Sequence, residues 1–336
     1  MGIATSYRLR WRRRRRRYRA WRKRHELSRV VDRTKAIRKD QILCFTVLRN
    51  EMVRLPYFLS YYRDLGVSHF LMIDNGSTDE SGDYLAEQPD VSLWRTEASY
   101  RRARFGMDWV NWLLSKHGHG HWCLTVDPDE FLVYPFCDTR KLPALTEWLQ
   151  SAQIRSFGAM LLDMYPKGPI AEQSYQPGQN PFEIASWFDS GNYTITRHHL
   201  LRNLFIQGGP RARAFFADDP DSAPALNKVP LVRWNRRFVY ASSTHALLPR
   251  GLNLVYDEGG GEKACGCLLH AKFLDSFPEK VVEEIERGEH FAGSREYIAY
   301  QEKSASQPTL WTRWSEEYVN WRQLEALGLI SKGDWI

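Results

Sequence analysis

Residues 127–130 (Asp-Pro-Asp-Glu) form the segment of the sequence best suited to chemistry. They follow the apolar run 122–126, which predicts a buried strand, and they precede a second apolar run. Residues two positions apart in an extended segment point to the same side, so both aspartates are able to face one ion. Carboxylate oxygens suit Mg²⁺ or Mn²⁺, which keep open positions for water and phosphate oxygens. The segment therefore predicts a metal site at Asp127 and Asp129 that can bridge a diphosphate leaving group.

Two further polar clusters follow predicted strands. They are Arg49, Asn50 and Glu51 after residues 42–48, and Asp74 and Asn75 after residues 69–73. Helical patterns alternate with these apolar runs and with a further apolar run at 91–94. This alternation predicts βαβ units and a parallel sheet with right-handed crossovers. Ligands bind at the carboxyl ends of the strands in such sheets. We therefore expect the three polar clusters to converge on one edge of the sheet.

The order and spacing of these clusters resemble the successive motifs of family-2-like glycosyltransferases of the GT-A fold, in the bacterial branch related to family 92. The resemblance is carried by residues 47–51, 73–79 and 126–131, and by similar segments at 208–211, 228–232 and 268–272. It reaches residues 41–275. It implies an α/β fold with a Rossmann-like, mostly parallel central sheet, helices on its faces and further helices at the C-terminal end.

The resemblance also implies a nucleotide-diphosphate sugar donor and an inverting transfer to a glycan or lipid-linked acceptor in cell-surface polysaccharide synthesis. It implies that Asp74 lies near the base or ribose, that Asp127 lies near the ribose and the metal, and that Asp129 binds the metal. That metal is Mn²⁺ or Mg²⁺. His270, at the end of an apolar strand, is the better candidate to complete the metal site, and His245 is the second. Either histidine is equally a candidate for a hydrogen-bonded core residue.

Other residues are candidates for binding the donor or for taking the proton of the acceptor hydroxyl. The donor-binding candidates are Arg49, Asn50, Glu51 and Asn75, with Arg104, Lys228 and Arg211 as cations for the diphosphate. An inverting transfer needs a carboxylate base. The sequence lacks the Glu-Asp pair that many family-2 enzymes carry, so the base stays open among Asp163, Asp189, Asp218 and Asp219. We take Asp163 and Asp189 as the catalytic candidates, although each of the four is also able to cap a turn.

Two other function classes use some of the same features. A phosphoryl or nucleotidyl transferase would use the Asp127 and Asp129 site. Such an enzyme would require a nucleophilic Asp-x-Asp-x-Thr/Val motif or a Gly-rich phosphate loop, and the sequence has neither. A nucleic-acid-binding protein would act through the basic N-terminus. Residues 41–336, however, hold 30 basic residues against 37 acidic ones and carry no nucleic-acid-binding motif. We therefore expect no nucleic-acid partner.

The N-terminal segment 1–40 is strongly basic, with 17 Lys or Arg against 3 acidic residues and interleaved tyrosines and tryptophans. This pattern predicts either a helix on an anionic membrane surface or a disordered arm, and the aromatic residues favour the membrane. No run approaches the roughly 20 apolar residues of a membrane span, and no apolar stretch follows the arginines as in a signal peptide. We expect a cytoplasmic protein that can lie on the inner face of the membrane.

The sequence divides into three parts by composition and pattern. They are a basic tail (1–40), a catalytic domain (41–275, with a nucleotide-sugar half at 41–135 and an acceptor half at 136–275) and a C-terminal helical extension (276–336). The extension is predicted to contain a helix over 278–290. A second amphipathic helix is predicted over 311–324, where three tryptophans, a tyrosine and a leucine recur at helical spacing.

Overall fold

The computed structural model describes residues 3–256, 262–289, 297–301 and 309–335. The strands of the central sheet are β1 (Ser28–Val31), β2 (Ile42–Leu48), β3 (His69–Asp74), β4 (Val91–Arg95), β5 (Trp122–Thr125), β6 (Glu130–Val133), β7 (Ser156–Asp163), β11 (Asn227–Arg233) and β14 (Gly266–His270). Smaller sheets contain β8 (Trp187–Asp189), β9 (Tyr193–Arg197), β10 (Leu204–Gly208), β12 (Val239–Ser242), β13 (Ala246–Leu248) and β15 (Ser315–Glu317). The helices are α1 (Ile3–Lys23), α2 (Leu55–Leu65), α3 (Ser81–Glu87), α4 (Met107–His117), α5 (Leu142–Ser151), α6 (Gly209–Phe215), α7 (Phe277–Arg287) and α8 (Trp321–Ala326).

The central sheet has the strand order β1-β4-β3-β2-β5-β11-β7-β14-β6. Strands β2, β3, β4 and β5 are parallel to one another, and so are β7 and β14. These six strands share one direction, while β1, β6 and β11 run the opposite way. Helices α2, α3 and α4 connect consecutive parallel strands. The predicted α/β architecture, with a large, mostly parallel sheet between helices, is confirmed.

Strand β2 shows why the centre of the sheet is continuously apolar. Cys44 and Leu48 belong to the core on the side of α2, whereas Leu43 and Phe45 belong to the core on the side of α4. A strand covered on both faces needs apolar residues at successive positions, and each fully buried large side chain stabilises the fold by roughly 1.5–3 kcal/mol. Gly66 then ends α2 with φ 103°, a left-handed conformation that glycine adopts at low cost.

The antiparallel strands β6 and β11 add residues to the carboxyl-end edge of the parallel strands. Because these two strands run the opposite way, Glu130 lies beside the last residue of β14, and Lys228 lies beyond the end of β5, whose Leu124 pairs with Leu231. His270, the last residue of β14, is the register partner of Glu130 on one side and of Asp163 on the other. This edge of the sheet therefore combines polar residues that end the parallel strands with polar residues that begin the antiparallel strands.

The basic N-terminus is a helix joined to the body of the protein. Helix α1 packs against α4 and β12, with Leu9 and Ala20 buried, and Arg19 forms a 2.9 Å ion pair with Asp108 of α4. Residues 28–31 of the same segment form β1 at the edge of the central sheet. Of the two predicted alternatives, the structure shows the helix and not the disordered arm. Across the described ranges, no helix combines the length and apolarity needed to cross a membrane.

The C-terminal segment corrects one prediction. A helix over 278–290 corresponds to α7, but the single amphipathic helix predicted over 311–324 is wrong. Residues 315–317 form β15, which pairs with β8, and the helix begins only at Trp321, where the Asn320 side chain accepts backbone hydrogen bonds. The apolar residues at helical spacing do not share one face, since Trp311 packs near Tyr165, Trp314 is exposed and Leu324 packs with the main core.

Candidate active site at the strand ends

Three side chains at the strand-end edge form a chain of polar contacts centred on His270. Its Nε2 lies 3.2 Å from Oδ2 of Asp129, and its Nδ1 lies 2.6 Å from Oδ1 of Asp163. Because an ionised carboxylate only accepts, Nδ1–H donates to Asp163 and Nε2 faces Asp129. Nε of Arg211 donates to Oδ2 of Asp163 at 2.7 Å, so both oxygens of that buried carboxylate are engaged. Asp163 therefore orients the His270 ring.

The charges of this cluster support one another. Burial alone would raise the pKa of Asp163, but Arg211 and His270 hold it below its ordinary value. Burial would likewise raise the pKa of Asp129, yet the charge of His270 beside it lowers that pKa far more. For His270, burial lowers the pKa and the two aspartates outweigh that effect, so the net shift is upward. The site is thus built to keep two buried carboxylates ionised around one cationic centre.

A second group of charges lies around the buried Lys228. Its Nζ lies 2.7 Å from Oε1 of Glu130 and 3.5 Å from Oδ2 of Asp127. Burial lowers the pKa of Lys228, but the two carboxylates outweigh that effect and keep the ammonium charged. The side chain of Asp127 is 53% exposed, in contrast to that of Glu130 at 2%. Asp127 is therefore the carboxylate of this group that a ligand can reach.

The donor set at this edge fits a hard divalent ion in part. After His270 has released its Nε2 proton, Asp129 and His270 offer one oxygen and one nitrogen 3.2 Å apart, close to the roughly 3 Å that separates adjacent ligands of an octahedral ion with bonds of about 2.1 Å. Asp163 holds the far side of the imidazole, as metal-ligating histidines require. No group of three His, Cys, Asp or Glu side chains is arranged around a metal position within the described residues. An ion here would therefore depend on water and substrate oxygens for its other ligands, as Mg²⁺ sites commonly do.

Helix α7 lies over the residues predicted to bind the nucleotide. The contacts are Arg49 Nε to Glu283 Oε1 at 3.0 Å, Asn50 Nδ2 to the same oxygen at 2.8 Å, Arg287 Nη2 to Asn75 Oδ1 at 3.4 Å, and an ion pair between Lys280 and Glu51. The apolar side of α7 packs with Tyr165 and Phe273 in a separate core. In this arrangement α7 forms hydrogen bonds and an ion pair with residues that the sequence analysis predicts to bind the nucleotide-sugar donor.

Asp74 and Asn75 are held within their own loop. Oδ1 of the buried Asp74 accepts a hydrogen bond from the backbone N–H of Ser77 at 2.8 Å, which shapes the turn after β3. The Asn75 amide donates to the carbonyl oxygens of Thr96 and Ala98, at 3.1 and 3.0 Å, and so ties this loop to the end of β4. Both residues lie at the predicted edge, where they fix the loop that faces α7.

Arg104 does not join the cluster. It forms an ion pair with Asp108, which also receives Arg19 of α1, and it donates to the carbonyl oxygen of Ala241. Burial, reinforced by the neighbouring Arg16, lowers the pKa of Arg104 to about 10. This side chain links the start of α4 to α1 and β12, and its assignment to the diphosphate stays a prediction.

The two catalytic candidates are both engaged in ion pairs. Asp163 is bound by Arg211 and His270, whereas Asp189 accepts from Arg213 at 2.7 and 3.0 Å and from the Tyr165 hydroxyl. Both oxygens of each carboxylate accept from these partners, and the assignment of either residue as the base stays a prediction. Asp218 and Asp219 lie on an exposed loop.

The two histidine candidates differ in position. The ring of His245 contacts the backbone carbonyl of Asn227 instead of Asp129. The structure places His270, and not His245, beside the predicted metal ligand.

Sequence reasoning missed two contributions to this edge. Glu130 follows the two aspartates directly, but its partnership with Lys228 depends on the register of β6 and β11 with their neighbours. Helix α7 carries Lys280, Glu283 and Arg287 at spacings of three and four residues, a charged helical face that was readable in the sequence. What the sequence did not show is which surface this face covers.

The chain matches no protein-family model and no curated protein. The functional interpretation therefore depends on the motifs of the sequence and on the geometry of this edge.

Proposed function

We propose that the protein is a metal-dependent glycosyltransferase with a GT-A fold, which moves a sugar from a nucleotide-diphosphate sugar to a glycan or lipid-linked acceptor with inversion. The observation that carries the proposal is the convergence of Asp129 and His270 at the carboxyl-end edge of a parallel sheet, beside the buried cation of Lys228. Such a site offers ligands for Mn²⁺ or Mg²⁺ and positive charge for a diphosphate. The ordered motifs at 47–51, 73–79 and 126–131 support the same interpretation.

In this reaction the acceptor oxygen bonds to the anomeric carbon, while the bond from that carbon to the diphosphate breaks and the nucleoside diphosphate leaves. A bound Mn²⁺ or Mg²⁺ would neutralise the charge that develops on the diphosphate. Asp129 and His270 would hold that ion. Lys228 keeps a positive charge next to the exposed Asp127, and Asp163 fixes the ring of His270. The base that receives the acceptor proton stays open.

The same metal site would also serve a nucleotidyl transferase, and the products separate the two. A glycosyltransferase releases a nucleoside diphosphate, whereas a nucleotidyl transferase consumes a nucleoside triphosphate and releases pyrophosphate. We place the enzyme in the cytoplasm, on the inner face of the membrane, through the basic helix α1.

The first experiment is a thermal-stability titration of the full chain with UDP, GDP and their sugar conjugates, with Mn²⁺ and with a chelator. We expect a nucleotide to stabilise the protein only when the metal is present, by about 2.7 kcal/mol at one hundred times the dissociation constant. Asp129→Ala should remove this stabilisation and the turnover, whereas Asp138→Ala, at an exposed pair with Arg322, should retain both. Absence of any metal-dependent shift in the wild-type protein would overturn the proposal.

A further inference from the structure

The outward face of α1 carries a stripe of large apolar and aromatic side chains. Their exposed fractions are 90% for Ile3, 71% for Tyr7, 56% for Trp11, 58% for Tyr18 and 48% for Trp21. At 3.6 residues per turn, these positions fall within an arc of roughly 80° and extend over about 27 Å of the helix. An exposed apolar surface of this extent usually marks a site that binds a protein, a membrane or a ligand.

Arginines flank this stripe on both sides. The exposed arginines of the helix are Arg8, Arg10, Arg14, Arg15, Arg17 and Arg22, and α1 contains no acidic residue. By the same helical geometry, Arg8, Arg15 and Arg22 lie along one side of the stripe, Arg10 and Arg17 lie along the other, and Arg14 lies within it. The guanidinium of Arg15 also covers the Trp11 ring at 5.6 Å from its centroid. Apolar and aromatic side chains with one arginine thus form the middle of the face, and the other five exposed arginines form its borders.

The opposite face of α1 is fixed to the protein. Leu9 and Ala20 are buried against the body, and Arg19 binds the buried Asp108 at 2.9 Å. Leu9 and Ala20 lie about 140° to 160° around the helix from the centre of the stripe. The helix is therefore unable to turn its aromatic residues inward without breaking these contacts, and the stripe is presented to solvent in a fixed orientation.

From this arrangement we propose that α1 binds an anionic lipid surface, with its axis parallel to the membrane plane. Tryptophan and tyrosine favour the headgroup region of a bilayer, and arginines beside them reach outward to lipid phosphates. A helix that reads a nucleic-acid duplex would instead present mainly basic and polar side chains at the centre of the contact face, where α1 has five apolar or aromatic side chains and one arginine.

The test is flotation of the full-length protein with vesicles of phosphatidylcholine alone or with about 30% phosphatidylglycerol. We expect binding to the anionic vesicles only, with partial loss at high salt because the aromatic contribution is not screened. The double variant Trp11→Ser and Trp21→Ser should bind at least tenfold more weakly. Trp314→Ser, which replaces a tryptophan that is 74% exposed elsewhere, should bind as the wild type does.

Two results would overturn the proposal. One is undiminished vesicle binding by the double variant, which would show that charge alone attracts the protein. The other is tight binding of a 30-nucleotide RNA that prevents vesicle binding, which would assign α1 to nucleic acid. An unchanged melting temperature of each variant confirms that its fold is intact. Because flotation detects no catalysis, its failure would leave the proposed transferase activity to its own test.

Discussion

His270 and Asp163 are register partners on the adjacent parallel strands β14 and β7, and Nδ1 of the histidine lies 2.6 Å from Oδ1 of the aspartate. The aspartate therefore acts through the histidine and not on the substrate. Asp163→Asn should weaken binding of Mn²⁺ by about 10- to 100-fold, since the amide leaves the imidazole less firmly oriented and less basic. Calorimetric titration with Mn²⁺ measures this directly.

Asp189→Asn provides the comparison for that variant. Its carboxylate forms an ion pair with Arg213 in the acceptor half, so its removal should reduce stability without changing the affinity for Mn²⁺. Equal Mn²⁺ affinities of Asp163→Asn and the wild-type protein would refute the positioning role.

Glu283 of α7 accepts hydrogen bonds from both Arg49 and Asn50, so donor binding at these residues requires the carboxylate to leave. Glu283→Ala should raise the affinity for the nucleotide about two- to fivefold, the value of one partly exposed ion pair. Fluorescence titration with a nucleoside diphosphate and Mn²⁺ checks this result. Glu286→Ala alters an exposed position of the same helix and should bind the nucleotide as the wild type does. A weaker affinity of the Glu283 variant would indicate that α7 contributes to the donor site instead of covering it.

The hydroxyl of Tyr62 connects α2 to the segment that carries the metal candidates. It donates to the carbonyl oxygen of Glu130 at 2.7 Å and accepts from the N–H of Leu132 at 3.1 Å. Tyr62→Phe leaves both buried backbone groups without this partner and should lower the free energy of unfolding by about 1–3 kcal/mol. Urea unfolding measures the loss, and Tyr84→Phe, at a half-buried site, should change it by much less. A loss below 0.5 kcal/mol, on the scale of about one hydrogen bond, would contradict this role.

His117 at the end of α4 is mostly buried, and its Nε2 has no hydrogen-bond partner among the described residues. Burial, with the charge of Lys116, lowers the pKa of His117 to about 4. Between pH 6.5 and 4 the unfolded chain binds a proton that the folded chain does not, so stability falls as the pH falls through this window. After allowance for solvent screening, we expect this group to account for about 1–2 kcal/mol of the loss.

Unfolding of His117→Gln at pH 7 and pH 4.5 tests that expectation. The variant should lose less stability than the wild-type protein across this interval, by the amount that His117 contributes. The exposed His119 is two positions away, and His119→Gln should follow the wild type. Parallel pH profiles of all three proteins would show that His117 does not cause the dependence.

The first half of the fold was predictable because its signals are local. Each parallel strand is a short apolar run, each is followed by a helical pattern, and Gly66 ends the first connecting helix with a positive φ. The segment 311–324 failed for the opposite reason. Its apolar residues pack in two cores built from distant parts of the chain, except Trp314, which is exposed, and no local pattern distinguishes that arrangement from one helix.

The site was predictable to the extent that strand ends determine it. Asp129 and His270 end up side by side because β6 and β14 are neighbours in register, and both residues were chosen for their positions at the ends of apolar runs. Asp108 pairs with Arg104, which is only four residues away, and also with Arg19 of α1, which the sequence does not place beside it. Charge pairing between distant segments is set by tertiary contacts, and a sequence shows such charges without their partners.

Strand β1 has a practical consequence for work with this protein. Its antiparallel pairing covers the outer edge of β4, where Ser28 lies opposite Arg95 and Arg29 opposite Trp94. Deleting residues 1–40 to remove the arginines would leave the backbone N–H and C=O groups of β4 open to pairing with strands of other molecules. Such a truncated protein would be prone to self-association, and its insolubility could be mistaken for loss of a binding partner. Substitution of the arginines in place removes the charge and keeps the edge closed.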